Sequence, residues 1–463
     1  MSEIWQMSAV ETAKAIRDRK ISASEVTAAH LARLRDVNPG VNAVTYDLSD
    51  SAVEAATAAD VVTRSGADLP PLHGVPITIK ENVDQKGLPT PNGIPAFENL
   101  IAPDHSPLVK NLLAAGAIVI GRTNTPEFSH RYVTDNPLRG RTLNPWREDL
   151  TPGGSSGGAS ASVALGIGTI AHGNDLAGSL RYPAYCCGCV TIKPGLGRVP
   201  AFNPSLAEER PTILQLFSVQ GPITRTVADA KQALAIMSQE SADDPWWCPV
   251  QLEFERPERM RIAVSDGSQL GTVAAEVQAA VGKATEILRD AGHTIVEQDP
   301  PNMVEARDVY LRLMQTDAST SDAFERLGSD TLKRSGEFFY DGVPDSDLHG
   351  YIRDMAARGT IRRRWLNYFT KVDALVMPIS LRPPAQQDFD IADDATRAVR
   401  ANAPMQIINL LGLPASAVPT GLADGVPMGV QIVASRFRED IALAVAEDIE
   451  RVEPMLCRQL WDR

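Results

Sequence analysis

Between residues 151 and 181 the chain reads TPGGSSGGASASVALGIGTIAHGNDLAGSLR, and no other stretch narrows its fold so much. A glycine-rich turn carries two adjacent serines, Ser155 and Ser156. Small residues then dominate over 157–165, which predicts a helix able to pack very close to its neighbours. A strand follows over 168–171 and leads into a second glycine-containing turn, DLAGS, with a third serine, Ser179. Upstream, Lys80 closes the apolar run GVPITIK. Three hydroxyls and one amine are the inventory of a hydrolase that needs no histidine and no metal.

The rest of the chain alternates. Ser8 with Glu11 and Ser22 with Glu25 form capping boxes for two opening helices. Apolar residues at Val26, Ala29, Leu31 and Leu34 give the second helix a buried stripe. PLHGVPITIKENV reads as a short buried strand with Lys80 at its end. Helices are expected over 108–115, 227–237, 273–291 and 405–411, several more within 304–365, and a last one over 440–452. Strands are expected over 117–120, 261–264, 294–297, 374–377, 416–418 and 430–433. This alternation predicts an α/β fold with a mixed central sheet. No linker or compositional break divides the 463 residues, which leaves one large domain as open as two, and 43% hydrophobic residues supply an ample core.

A net charge of −13 argues against nucleic acid as a partner, since phosphate binding needs basic surface. The N-terminal segment is amphipathic and charged, without the apolar centre of a signal peptide. No apolar run is long enough to cross a bilayer. Five cysteines, three of them bunched as Cys186, Cys187 and Cys189, make a poor disulfide framework, and a cytoplasmic setting is expected. The cluster lacks a second Cys/His pair at ligand spacing, so it reads as small buried thiols, with no metal and no cofactor.

The serine motif has competing readings. A phosphate-binding loop needs a lysine after the last glycine, where Ala159 stands. Residues 154–158 formally match the G-x-S-x-G nucleophile elbow with Ser156, but an elbow requires an acid and a histidine further on. His172, His293 and His349 offer no suitable loop context. The G-x-G-x-x-A match at 166–171 follows a helix and enters a strand, the reverse of a dinucleotide site. S-x-x-K, the mark of another Ser/Lys hydrolase type, is absent. Lys80 is the sharper signal. An amine drawn into apolar surroundings loses solvation of its charged form. Tuning it from ~10.4 to the roughly 7–8 of a general base corresponds to about 4 kcal/mol.

GVPITIKENV, TPGGSSGGAS, GNDLAGSLRYPAYCCG and TIKPGLGRVP, in this order, resemble the core of the amidase signature family. The resemblance extends to VDALVMPIS, NLLGLPASAVPTG and GVPMGVQIVASRFRED and is weakest over about 238–372. It implies a single domain, 1–463, built on a twisted mixed β-sheet covered by helices on both faces, with a catalytic core at about 70–200 and a variable substrate-lining segment at about 300–372. It also implies a Ser–cis-Ser–Lys triad: Ser179 as nucleophile, Ser155 on a cis peptide bond as bridge, Lys80 as base. The oxyanion hole would be the backbone N–H groups of Leu176, Ala177, Gly178 and Ser179, with Ala177 standing where the family usually has glycine. Asp175 and Arg181 would brace this turn.

The implied activity is cleavage of a carboxamide, anilide or related carbamate or ester through an acyl-serine. The alternative is the glutaminase subunit of a tRNA-dependent amidotransferase. Phe128, Tyr132, Gly154, Tyr310, Met314 and Phe338 are the candidate substrate-lining residues, which favours hydrophobic or aryl substrates. Arg358 and the run 362–364 read as a solvated helix face. The expected partner is a small-molecule amide or carbamate, with the chain a monomer or homodimer and no membrane attachment.

Overall fold

A computed structural model describes residues 3–320 and 322–461. The strands are β1 (Val44–Asp47), β2 (Pro76–Lys80), β3 (Ile118–Thr123), β4 (Ile170–Asp175), β5 (Val190–Lys193), β6 (Val219–Thr224), β7 (Arg261–Val264), β8 (Thr294–Glu297), β9 (Ala374–Pro378), β10 (Ala415–Ala423) and β11 (Val426–Ala434). Among the described residues these eleven strands form one sheet in the order β1-β3-β2-β4-β6-β5-β10-β11-β9-β7-β8. Two parallel blocks, β3-β2-β4 and β9-β7-β8, flank an antiparallel middle. The sheet is mixed, as the alternation of elements predicts.

Both faces are buried, and strand parity decides which residues serve which face. Ala374 and Val376 of β9 join one apolar cluster with the helices Val227–Met237, Ala275–Asp290 and Glu439–Val452. Leu375 and Met377 point to the other side, where the helices Met303–Ala318, Leu348–Tyr368 and Ala403–Leu411 pack. In β2 the same rule sends Ile77 and Ile79 to the first cluster. Thr78 and Lys80 therefore face the helix Gly157–Ala164, whose Ser162 Oγ lies 3.4 Å from Thr78 Oγ1.

The capping boxes at Ser8 and Ser22 are present. Three strands escape the sequence reading for physical reasons. β6 contains Gly221 and Pro222, which weaken a strand pattern, and β1 and β5 are only four residues long. β4 runs on to Asp175 through the polar residues Asn174 and Asp175, past the apolar stretch that marks it. A short helix, Arg458–Trp461, follows the helix expected to be last. No helix among the described residues is long and apolar enough to cross a membrane.

Candidate active site

β2 and β4 are hydrogen-bonded parallel neighbours, with Ile77 opposite Ile170. Their C-terminal ends, Lys80 and Asn174-Asp175, therefore emerge at the same sheet edge, where open α/β sheets place their ligands. The helix Gly157–Ala164 delivers Ser155 and Ser156 to that edge. It approaches so closely that a Cβ on Gly158 would lie 2.5 Å from the Asn124 backbone nitrogen. Ser179 arrives in the turn before the helix Arg181–Cys187.

Lys80 is fully buried. Its Nζ lies 2.7 Å from Ser155 Oγ, 3.1 Å from Ser156 Oγ and 2.5 Å from Asn174 Oδ1. No carboxylate forms an ion pair with it among the described residues. Burial pushes the amine well below the ordinary lysine range, and the negative charge of Asp175 recovers only part of that. The peptide bond between Gly154 and Ser155 is cis. Ser179 lines a cavity, and its hydroxyl makes no hydrogen bond among the described residues, to Ser155 or any other group. The structure thus joins Lys80 to Ser155 directly and leaves the third hydroxyl facing open space.

The turn between Asp175 and Ser179 is held from its carbonyl side. Asn409 Nδ2 donates to the Asp175 carbonyl at 3.0 Å, Tyr310 O–H to that of Leu176 at 3.1 Å, and Tyr132 O–H to that of Ala177 at 2.8 Å. The Tyr182 N–H donates to the Gly178 carbonyl at 2.7 Å. In a trans peptide N–H and C=O point in opposite directions. Each anchored carbonyl therefore turns the next residue's N–H away from its anchor. The N–H groups of Leu176, Ala177 and Ser179 meet no acceptor among the described residues. The fourth expected donor differs, because the Gly178 N–H is taken up by Asp175 Oδ1 at 2.9 Å. Gly178 adopts φ +113°, while Ala177 keeps a negative φ that a Cβ tolerates.

Asp175 organises the turn. Besides Gly178 it accepts from the Leu180 N–H at 3.2 Å and pairs through both oxygens with Arg181 Nη2 and Nε, at 2.9 and 3.0 Å. Burial raises its pKa, but the Arg181 guanidinium outweighs that and holds the carboxyl at about 2. Arg181 also reaches Gln431, Asn409 and the Met405 carbonyl. This is the bracing expected of the pair.

The cavity measures about 390 Å³, within the roughly 300–1,000 Å³ typical of small-ligand sites. Phe128, Tyr132, Tyr310 and Met314 line it as expected, together with Leu176 and Ala177. Two expectations are corrected. Phe338 does not line it. Leu332, Ser335 and Phe339 form the buried face of the helix Asp330–Tyr340, and Phe338 falls off that face against Arg334. Phe339 and Tyr340 take its place. Gly154 is also outside the lining, pressed against the backbone of Arg131 and Tyr132. Phe324 and His130 complete an aromatic wall, while Asn82, Asn174 and Gln220 give a polar side.

The three bunched cysteines are buried, unpaired thiols, and burial pushes each well above its ordinary range. His172 is buried in β4 against Gln220, and His293 against Asp448, and neither bonds one of the three serines among the described residues. Arg358 is not solvated: it is buried, donates from Nε to the Leu410 carbonyl at 2.7 Å and lies over Phe217.

Comparison with known proteins sets this geometry in context. The family model described as Amidase matches residues 25–443. The chain is 45% identical to an indoleacetamide hydrolase of Bradyrhizobium diazoefficiens over 99% of its own length and 89% of the relative's. It is 32% identical to an acylamidase of Rhodococcus erythropolis, covering 97% and 96% of the two chains. Among solved structures, a bacterial aryl acylamidase of the amidase signature family superposes with a TM-score of 0.86 at 27% identity, over 100% and 99% of the two chains.

Proposed function

We propose that this chain, which belongs to the amidase family and is an amide-hydrolysing enzyme, cleaves primary amides of arylacetic acids to the acid and ammonia through an acyl-Ser179 intermediate. The observation that carries the reading is the aromatic-walled cavity, which opens on the Ser179 hydroxyl and on N–H groups without acceptors. The similarity to an enzyme named for indoleacetamide supports the aryl acyl group.

In this reading Lys80 works as a neutral amine. Ser179 Oγ turns onto Ser155 and gives it a proton, while Ser155 gives its own to Lys80. The Ser179 oxygen forms the new C–O bond to the amide carbonyl. The oxygen of the tetrahedral intermediate takes hydrogen bonds from the Leu176, Ala177 and Ser179 N–H groups, which are fixed before the substrate arrives. The proton returns through Ser155 to the departing nitrogen, the C–N bond breaks, and ammonia leaves. Water then repeats the sequence on the acyl-enzyme, releasing the acid and restoring Ser179.

The test is product analysis with indole-3-acetamide, phenylacetamide, benzamide, acetanilide and glutamine, using Ser179→Ala as the control. Ammonia from the two arylacetamides, absent with the variant, is the expected result. Aniline from acetanilide without turnover of the arylacetamides would replace this reading by an anilide-cleaving one. Ammonia from glutamine alone would favour the amidotransferase role.

A further inference from the structure

His130 stands at the end of the turn Glu127–Ser129, and Phe128 and Ser129 both take positive φ to bring it to the cavity. Its ring lies edge-on to Phe324 at 4.9 Å, 5.6 Å from Phe339 and 6.5 Å from Tyr340. Nε2 is closed off by protein atoms and has no hydrogen-bond partner, whereas Nδ1, which makes no hydrogen bond among the described residues, is not closed off, and the residue lines the cavity. Burial, reinforced by the neighbouring Arg131, holds its pKa down to about 4. The ring is therefore neutral near pH 7, with one N–H and one lone pair. A buried polar group left unpaired costs about 1–3 kcal/mol. A hydrocarbon ring laid over Nδ1 would strip it of water and leave it unpaired at that cost. A ring carrying its own N–H would pair it instead.

We infer that His130 is a specificity-determining residue that accepts a hydrogen bond from a ring N–H of the acyl group, so that the site selects N–H heteroaryl acetamides of the indole type over isosteric rings lacking that donor. This inference rests on the arylacetamide reading given above. The aromatic wall supplies affinity for any flat ring, and the imidazole supplies the discrimination.

The test compares kcat/KM for indole-3-acetamide and benzothiophene-3-acetamide, similar in shape but differing in the N–H. Wild-type enzyme should favour the indole by about ten-fold or more. His130→Phe should bring the ratio to within about two-fold, whatever its effect on the absolute turnover of either amide. His130→Gln retains an acceptor and should keep part of the preference. Binding of both amides to Ser179→Ala, followed by calorimetry, should show the same preference without turnover. A wild-type ratio near one overturns the inference while leaving the arylacetamide reading intact, and it needs no variant to fold. A ratio unchanged in His130→Phe does the same. Failure to cleave or bind either amide overturns both.

Discussion

Lys80 Nζ lies 2.5 Å from Asn174 Oδ1, and an amide oxygen can only accept. One N–H of the amine must therefore point at Asn174. With a second directed to Ser156 at 3.1 Å, a neutral amine is left with its lone pair on Ser155 at 2.7 Å. Asn82 Nδ2 donates to the same Asn174 oxygen at 3.1 Å and fixes its orientation. In the proposed mechanism Asn174 thus aims the base rather than touching the substrate's reacting bond.

The consequence for pH is definite in sign. Protonated Lys80 cannot accept from Ser155, so kcat/KM rises with pH through the lowered amine pKa and then levels. Asn174→Asp places a negative charge beside the amine and favours its charged form. The acid limb should move up by about 1 unit or more, so that the variant is slow at about pH 7 and recovers on the alkaline side. Asn174→Ala should lower kcat about ten-fold or more with little change in KM. A pH–rate profile of Asn174→Asp that coincides with wild type would contradict this role.

Asp175 and Arg181 are both fully buried and pair through two hydrogen bonds. Arg181→Leu leaves a buried carboxylate uncompensated and should cost about 3–5 kcal/mol in urea unfolding. The loss should grow as pH rises above about 2, where wild-type Asp175 ionises against Arg181 while burial without the arginine holds the variant's carboxyl protonated to higher pH. A loss under about 1 kcal/mol would mean that Asn409 and the turn N–H groups suffice without the arginine.

Tyr132→Phe removes the O–H that holds the Ala177 carbonyl and keeps the ring that lines the cavity. The Ala177–Gly178 peptide should loosen, and the N–H groups beside it lose their fixed direction. The expected result is a drop in kcat of about ten-fold, with KM changed less than about two-fold. A change confined to KM would assign Tyr132 to substrate contact alone.

Much of this site was legible in the sequence because its parts are local. Ser155, Ser156 and Ser179 sit in glycine-containing turns, and Lys80 ends an apolar strand, so composition and order point to them. The cavity was only partly legible. Phe338 and Phe339 are adjacent and chemically identical, and only the phase of their helix, set by Leu332 and Ser335, decides which one faces the cavity. Arg358 looked solvated because charge alone carries no record of the Leu410 carbonyl 52 residues away. Asn174 stood inside a quoted motif without a role, since its function depends on β2 and β4 being parallel neighbours. His130 lies in a stretch that supplies lining residues, but nothing local singles it out: its box is assembled from residues near 130, 324 and 339.

The most direct test of the account is the mass of the enzyme quenched during turnover of an activated arylacetyl ester, with the modified peptide then located. One arylacetyl group should appear on Ser179 in the wild type. Ser155→Ala and Lys80→Met should accumulate it far more slowly, and Ser179→Ala should not carry it. An acyl group found on Ser155 or Ser156, or Ser179→Ala turning over at the wild-type rate, would contradict the assignment of the nucleophile and with it the relay from Lys80.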